Sequence, residues 1–225
     1  MKLHSQRLLA IAHLIEEHKQ GDILADIGTD HAYLPCFLYG EKVISHAYAC
    51  DVASGPLSSS QETIAREHME EAVIPLLGNG LDPVCDKPVD MISICGMGGL
   101  LISEILDAHQ ERLEGPLFIL QANTAIDLLR EYLMTHDMEI IDETLVKDVH
   151  HIYEIIVTKR SVNVHYEKKD LLFGPVLRMK KGPLFEEKWK RELKIQKRIL
   201  TSLKEEHKRY QEVRDMISLI EESLA

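Results

Sequence analysis

A short polar run that begins at Asp26 contains the residues best suited to chemistry in this chain of 225 residues. Asp26, Gly28 and Asp30 lie in the sequence Asp-Ile-Gly-Thr-Asp-His, directly after an apolar segment, and Asp51 follows Gly28 by 23 positions. Glycine lets the backbone approach a ligand closely, and an acidic residue about 20 positions later binds the hydroxyls of a ribose. The spacing therefore predicts a nucleoside-binding site.

The residues that follow Gly28 indicate which nucleoside is bound. A dinucleotide fingerprint is G-x-G-x-x-G, because pyrophosphate lies against glycine backbone at the start of a helix. Here Thr29, Asp30 and His31 occupy the rest of the turn. The carboxylates of Asp26 and Asp30 would repel a pyrophosphate but can hold an ammonium group. This favours S-adenosylmethionine over NAD, whereas the structural alternative is a turn in which Asp30 only caps the next helix.

Strand-like and helix-like segments alternate through the first 135 residues. Five apolar runs are typical of buried strands: 23–26, 47–51, 73–77, 91–95 and 117–121. Helical periodicity occupies the intervals at 35–40, 57–68, 99–112 and 124–135. Such alternation predicts a parallel sheet with crossover helices.

Two further strand-like runs, 139–146 and 152–158, are separated by only five residues. Because that interval is too short for a crossover, the pair must form an antiparallel hairpin. A mostly parallel sheet with one antiparallel strand is the architecture of class I methyltransferases, whereas dinucleotide-binding sheets are usually all parallel. We therefore predict an α/β fold with a Rossmann-like, mostly parallel seven-stranded sheet.

In such a sheet the ligand crosses the carboxyl ends of the strands. The turn after the third strand holds Gly78, Asn79 and Gly80, whose amide can bond the adenine edge. The turn after the fourth strand holds Gly96 and Met97, where bare backbone can meet a planar ring. The predicted donor-binding residues are Asp26, Ile27, Gly28, Thr29, His31, Asp51, Val52, Gly78, Asn79, Gly80, Gly96 and Met97.

Charge divides the chain unevenly. Residues 1–160 carry 11 Lys and Arg against 26 Asp and Glu, whereas residues 161–225 carry 15 against 11, for a net charge of −11. A basic segment behind an acidic domain predicts that a polyanionic partner binds the basic segment. A pair of solvated charged helices would give the same composition, so charge alone does not decide.

The last 40 residues contain neither glycine nor proline, and their apolar residues follow helical spacing. Because the apolar seam is narrow, we predict two antiparallel helices resembling a short coiled coil, with the reversal at 206–210. The predicted domains are a donor-binding catalytic domain over 1–160 and a small all-α basic domain over 161–225.

Other features narrow the class of protein. The four cysteines lack metal-ligand spacing, which favours buried free thiols in a reducing compartment over a metal site. No apolar run approaches the ~20 residues of a membrane span, and the amphipathic segment 1–20 carries too many charges for a signal peptide. We expect a cytoplasmic protein, with a monomer favoured, that binds no metal and no membrane.

Several motifs together resemble the TrmK family of bacterial tRNA methyltransferases, which methylate N1 of adenine-22. These motifs are Asp-Ile-Gly-Thr-Asp-His-Ala-Tyr-Leu-Pro (26–35), Gly-Pro-Leu (55–57), Gly-Asn-Gly-Leu (78–81), Gly-Met-Gly-Gly (96–99) and Ile-Leu-Gln-Ala-Asn (119–123). The resemblance covers essentially the whole chain. It implies a class I domain, S-adenosylmethionine as donor, tRNA as substrate and a helical C-terminal domain that helps to hold it. Asn79 and Ala122 depart from the family pattern, which has Asp and Pro there.

The implied reaction is an in-line displacement in which adenine N1 attacks the sulfonium methyl. N1 already has a lone pair, so no base is needed to create the nucleophile, but the product stays cationic until N6 loses a proton. We predict that Asp30 stabilises this charge and that Tyr33 and Asn123 contact the adenine, which must be extruded from its pair. The alternatives are a helix-packing Tyr33 and a surface turn amide at Asn123.

Three other functions fit part of the sequence. A methyltransferase for another RNA or for a small molecule would share the donor site, although the basic segment argues against a small acceptor. A non-catalytic protein that binds donor or RNA would keep the fold, but Asp26, Gly28 and Asp51 are all present. A nicotinamide oxidoreductase is disfavoured by the missing fingerprint glycines.

Overall fold

A seven-stranded sheet organises the molecule in a computed structural model that describes residues 1–225. The strands are β1 (Ile23–Ile27), β2 (His46–Asp51), β3 (Val73–Leu77), β4 (Met91–Gly98), β5 (Leu117–Thr124), β6 (Met138–Asp148) and β7 (His151–Arg160). The helices are α1 (Gln6–His18), α2 (Tyr33–Gly40), α3 (Ser54–Arg66), α4 (Gly99–Asp107), α5 (Ile126–Thr135), α6 (Lys168–Phe173), α7 (Leu177–Lys180), α8 (Pro183–Ser202) and α9 (Tyr210–Leu224). None of these helices combines the length and the hydropathy that a membrane span requires.

The strand order is β3-β2-β1-β4-β5-β7-β6, and the first five strands are parallel. The antiparallel strand β7 lies between β5 and β6 and pairs with both. The predicted mostly parallel seven-stranded sheet is confirmed. Because β1 lies between β2 and β4, the chain reverses its direction of winding there, and a ligand crevice opens at the carboxyl ends of these strands.

Apolar side chains cover both faces of the sheet. One layer packs α1, α2 and α3 against the sheet through residues such as Ile11, Leu38 and Ile64. The other layer packs α4 and α5 through residues such as Ile102 and Leu129. Helices on both faces explain why the parallel strands read as short continuous apolar runs.

The two strands β4 and β5 extend three residues beyond the predicted ends, and this changes the site. The pairing continues past a bulge, where Met97 pairs with Ala122 and Gly98 with Thr124. Gly96, Met97 and Asn123 therefore lie on strands rather than in the predicted turns. Helix α4 is shorter than predicted, since it ends at Asp107 and a 3₁₀ turn follows at Gln110–Arg112.

The C-terminal part contains four helices, of which α8 and α9 form the predicted antiparallel pair. The reversal spans 203–209, close to the predicted 206–210. Short helices α6 and α7, which were not predicted individually, lie on either side of Gly174-Pro175. Phe173, Leu177, Phe185, Trp189 and Ile220 form a separate apolar cluster that joins α6 and α7 to the helix pair.

A buried ionic cluster attaches α6 and α7 to the sheet. Arg130 of α5 is fully buried and donates to Glu143 of β6 (2.9 Å) and to Glu154 of β7 (2.6 Å). Arg130 also donates to the backbone oxygen of Leu171 (3.2 Å), and Glu143 accepts from the backbone of Val176 (2.9 Å). Residues 161–181 are therefore integrated with the sheet, and only α8 and α9 extend from it.

Candidate active site

The turn after β1 is held in place by the residues beneath it. Asp26 is nearly buried, and its two carboxylate oxygens accept the hydroxyls of Ser93 (2.6 Å) and Thr29 (2.7 Å). The backbone amides of Gly28 and Thr29 donate to the oxygen of Cys50 at 2.9 and 3.0 Å. Burial raises the pKa of Asp26 above its ordinary value of 3.8, although both hydroxyls lower it. Asp26 thus supports the turn from below.

Gly28 lies in the turn that follows β1, directly against the side chain of Met97 near the end of β4. Its φ of +73° is a left-handed conformation, and an ideal Cβ there would lie 2.1 Å from the Cε methyl of Met97. A side chain at position 28 would therefore be strained and would displace Met97. The cradle of bare backbone fits a ligand that must cross from β1 to β4, as a nucleoside donor does.

Asp51 ends β2 beside this turn and is nearly buried. Its Oδ1 accepts the amide of Ala53 (2.9 Å), and its Oδ2 faces the amide of Asp30 at 3.4 Å. Each carboxylate oxygen keeps a further lone pair, so the group can accept two ligand hydroxyls. Val52, the next residue, is 68% exposed at the mouth of the crevice.

The turn after β3 adjoins Asp51 directly. The amide of Gly78 donates to the backbone oxygen of Asp51 (3.0 Å), and the side chain of Asn79 is exposed at the tip of the turn. Gly80 follows with a φ of +52°. The structure thus brings the first three predicted turns together around one crevice.

Asp30 presents a free carboxylate to this crevice. Its amide faces Asp51 and its backbone oxygen accepts the hydroxyl of Ser60 (3.1 Å), while the side chain is 70% exposed. Helix α2 begins at Tyr33 with Ala32 as its N-cap and without any side-chain cap, so the capping role considered for Asp30 is wrong. Nε2 of His31 lies 3.7 Å from the Asp30 carboxylate, and the ring of His31 stacks on that of Tyr33.

Two cavities meet at this edge of the sheet. The small cavity, about 200 Å³, is lined by Arg7, Leu8, Asp26, Gly28, Thr29, Asp30, His31, Tyr33, Leu34 and Cys95. The large cavity, about 800 Å³, is lined by residues of α1, β4, β5, the β6–β7 hairpin and α8, among them Arg7, Gly96, Asn123, Tyr153 and Lys188. Arg7 lines both, so the two cavities are adjacent.

Gln121 and Asn123 hold the bulge at Gly96 near the end of β4. Asn123 donates to the backbone oxygen of Gly96 (2.7 Å) and accepts from Gln121 (3.0 Å). Gln121 is fully buried and also accepts the amide of Gly96 (3.1 Å). Asn123 lies at the wall of the large cavity with both amide atoms already engaged.

Sequence reasoning missed Arg7, Ser93 and Lys188. Arg7 belongs to a helix far from the motifs in sequence, yet its Nη1 donates to Gln121 (2.7 Å) and its guanidinium lies 5.4 Å from the ring centroid of Tyr153. Only the amphipathic pattern of residues 1–20 hinted that this segment packs on the sheet. Nothing in that pattern indicated which edge of the sheet it reaches.

The thiols near the site are unsuited to covalent catalysis. Burial raises the pKa of Cys50 to about 12, and burial also raises the pKa of Cys95, with nearby Asp26 as the second cause. Both side chains therefore stay protonated at neutral pH. What the geometry offers is positioning and electrostatics: carboxylates, a cradle of glycine backbone and two adjoining cavities.

Comparison with known proteins gives a consistent result. The family profile described as TrmK, tRNA (adenine(22)-N(1))-methyltransferase, matches residues 24–222. A tRNA (adenine(22)-N(1))-methyltransferase of Bacillus subtilis is 33% identical over 195 residues, which are 84% of this chain and 81% of that protein.

Solved structures agree over nearly the full length. A candidate tRNA (m1A22) methyltransferase of Streptococcus pneumoniae, in complex with S-adenosyl-L-methionine, has a TM-score of 0.90 and 32% identity and covers 99% of this chain and 100% of its own. TrmK of M. capricolum, in complex with S-adenosyl-homocysteine, has a TM-score of 0.88 and 28% identity and covers 99% and 98%.

Proposed function

The chain belongs to the TrmK family of tRNA (adenine(22)-N(1))-methyltransferases, and we propose how its residues divide the work of that reaction. It is an S-adenosylmethionine-dependent tRNA methyltransferase with a class I fold. We place the donor in the crevice that joins the small cavity to Asp51 and Gly78, and the target adenine in the large cavity. The observation that carries this assignment is that the two cavities share Arg7 in their linings.

For the donor, the chemistry of the lining residues fits each part of the molecule. With the donor bound, Asp51 accepts the two ribose hydroxyls and Asn79 faces the edge of the donor's adenine. The backbone at Gly28 and Gly96 leaves room for the flat and charged portions of the donor. When bound, S-adenosylmethionine supplies a methyl group on a positively charged sulfur. Met97, which contacts the Gly28 turn, closes the crevice from the β4 side.

For the target, the residues must orient a base that already carries its nucleophilic lone pair. N1 is a Watson–Crick atom, so adenine-22 must leave any pair before it reaches the site. Tyr33, which is 39% exposed, offers an aromatic face from the small cavity, and Asn123 donates to the backbone oxygen of Gly96 at the wall of the large cavity. These residues bring N1 into line, which is the contribution expected from positioning.

Asp30 supplies electrostatic stabilisation of the methylated adenine. Methylation at N1 places a positive charge on the ring, and this charge disappears when N6 releases a proton. The free carboxylate of Asp30 stabilises that charge and accepts the N6 proton, directly or through one water molecule. Its backbone is anchored by Asp51 and Ser60, so the carboxylate stays at the mouth of the small cavity.

For the tRNA, the basic residues of α8 provide the binding surface. Six of the fifteen C-terminal basic residues form ion pairs within the protein: Lys169, Arg178, Lys180, Lys188, Lys190 and Lys197. Arg191, Lys194 and Arg198 are exposed, form no such pair and follow i, i+3, i+7 spacing, opposite the packed face of α8 around Trp189. We name these three residues the α8 stripe and propose that it binds tRNA phosphates.

The decisive experiment uses unmodified tRNA, labelled donor and nucleoside analysis. We expect one 1-methyladenosine per tRNA, and no product on a tRNA in which adenine-22 is replaced by uridine. Equal labelling of the replaced tRNA, or transfer only to another RNA or to a small molecule, would contradict the proposal. The monomeric state and the cytoplasmic location stay predictions.

A further inference from the structure

The tip of the β6–β7 hairpin carries a residue that its backbone conformation disfavours. Asp148 pairs with His151, so Val149 and His150 form a two-residue turn. Val149 has a φ of +54° and is the only β-branched residue of the chain with a positive φ, whereas His150 has none. Glycine is the usual residue in a two-residue turn whose first position alone has a positive φ. A valine there is a strained outlier, and strain of this kind concentrates at functional sites.

The side chain of Val149 is exposed at the mouth of the large cavity. It is 79% exposed, and of the three most exposed large apolar residues, Val149, Val162 and Met179, only Val149 lines that cavity. It belongs to none of the apolar clusters that hold the fold together. Neither the turn nor the packing of the core therefore accounts for a valine at this position, and its apolar surface is available to a ligand.

Two helices hold this turn in place. The carboxylate of Asp148 accepts the hydroxyl of Ser5 (2.6 Å), which is the N-cap of α1, and the amide of Arg7 (3.2 Å). Lys147, the residue before Asp148, donates to Glu187 of α8 (2.5 Å). The tip of the hairpin is thus attached on one side to the cavity wall and on the other to the helix that bears the α8 stripe. It is preorganised before any RNA arrives.

From these observations we propose that Val149 is a positioning wedge, an apolar side chain that enters the base stack of the tRNA where adenine-22 has left it. Extruding a base costs unstacking and unpairing energy, and proteins that unstack nucleic acids insert apolar side chains between bases. By occupying the gap, the wedge opposes the return of adenine-22 and keeps it in the large cavity. The inference rests on the proposed function, which places the target adenine there.

The test measures single-turnover methylation of two tRNAs. In one, adenine-22 is paired; in the other, an abasic residue opposite adenine-22 leaves it unpaired. Val149→Gly should slow methylation of the paired tRNA about 10-fold and that of the unpaired tRNA less than about 2-fold, because the wedge is needed only where a base must be displaced.

Three further variants isolate the property that matters. Val149→Asn tolerates the positive φ but is polar, so it should behave as Val149→Gly does. Val149→Leu keeps the apolar bulk and should retain most of the wild-type rate on the paired tRNA. Val162→Ala, at an exposed valine outside the cavity, is the matched control and should equal wild type on both tRNAs.

Donor titration and thermal unfolding separate a positioning role from a structural one. Glycine and asparagine both relieve the strain at position 149, so neither variant should lower the melting temperature or the donor affinity appreciably. If Val149→Gly does not fold, Val149→Asn supplies the same comparison.

Several results would overturn this assignment. Equal slowing of both tRNAs would mean that Val149 contacts the adenine or shapes the cavity, and an unchanged rate on the paired tRNA would mean that it has no part in displacement. A loss of the same size in Val162→Ala would also refute the wedge. If wild-type protein forms no 1-methyladenosine on either tRNA, the proposed function itself fails. If wild type is active and the variants keep its ratio of rates, only the wedge is refuted.

Discussion

At the scale of the residue, Asp30 and Asp26 show how two nearby carboxyl groups acquire different tasks. Asp30 is exposed, anchored only through its backbone and free to meet a cation. Asp26 is buried beneath the same turn and accepts two hydroxyls. The difference in burial gives the two carboxyl groups different tasks, because a charged group loses its hydration in an apolar environment.

Replacing Asp30 by Asn tests its proposed role. Asn keeps the size of the side chain and tolerates the φ of +57° at this position, so the fold and the donor affinity should change little. Loss of the charge should lower the turnover number about 10²-fold or more, the lower range for a general acid–base group. Single-turnover kinetics on tRNA, with donor titration as control, measures both. Near-normal turnover per folded molecule would remove Asp30 from the mechanism.

Replacing Asp26 by Asn should reveal a cost in stability that the native carboxylate imposes. Because burial raises the pKa of Asp26 in the folded state, folding favours its protonated form, and the stability that this form contributes is lost as pH rises from about 4 through the raised pKa. Asn has no proton to lose, and the hydroxyls of Ser93 and Thr29 can reorient to serve its amide.

The melting temperature should therefore be higher for Asp26→Asn than for the wild type at pH 7–8, by about 2–4 °C for each kcal/mol, and the difference should shrink towards pH 4. Thermal unfolding across this pH range gives the measurement, and Asp22→Asn, an exposed acid next to β1, is the matched control. A variant that is less stable than wild type at every pH would show that the charged hydrogen bonds outweigh the cost of burial.

At the scale of the element, sequence patterns predicted what is local and missed what depends on distant pairing. The alternation of strands and helices placed Asp26, Gly28 and Asp51 correctly, since parallel strands end at one edge of the sheet. The bulge that carries β4 and β5 onward depends on the pairing of Met97 with Ala122, which no local pattern encodes. Arg7 was missed for the same reason, because its partner Gln121 is 114 residues away in sequence.

The ionic cluster around Arg130 links the sheet to α6 and α7, so its loss should be costly. Arg130→Met leaves Glu143 and Glu154 buried with one cation fewer, and breaking such a pair costs about 3–5 kcal/mol. Denaturant unfolding should show this loss, while Arg191→Met on the exposed face of α8 should change stability by less than about 0.5 kcal/mol. Equal stability of the two variants would mean that Arg130 contributes little to the attachment.

The α8 stripe should govern tRNA affinity through phosphates. Replacing Arg191, Lys194 and Arg198 by Ala should weaken binding and reduce the slope of log K against log salt by about 2 to 3, close to one unit for each phosphate that is no longer neutralised. Filter binding between about 50 and 200 mM salt measures the slope. Lys190 and Lys197, on the same helix, already pair with Glu186 and Glu221 and serve as controls. An equal loss per charge in the controls would assign the effect to net charge.

At the scale of the whole molecule, the two charge regions seen in the sequence meet in a segment, 161–181, that packs against the sheet. The acidic portion forms the sheet and its helices, and six of the nine C-terminal basic residues without an ion pair lie on α8 or in the loop 203–209 that follows it. The predicted boundary near residue 160 falls before α6, whose surroundings include Arg130 and Glu143. Charge substitutions therefore test RNA binding more cleanly than truncation at Ser161, which would expose this cluster.

The attachment of α6 and α7 to the sheet bears on how one adenine of the tRNA is selected among many. Because buried ion pairs and an aromatic cluster fix the base of α8 to the sheet, the separation between the α8 stripe and the methyl-transfer point is a constant length. A helix of 20 residues spans about 30 Å, a distance comparable to the arms of a folded tRNA. On the proposal that the α8 stripe binds tRNA phosphates, the enzyme would choose its nucleotide by that nucleotide's distance from a backbone held far away.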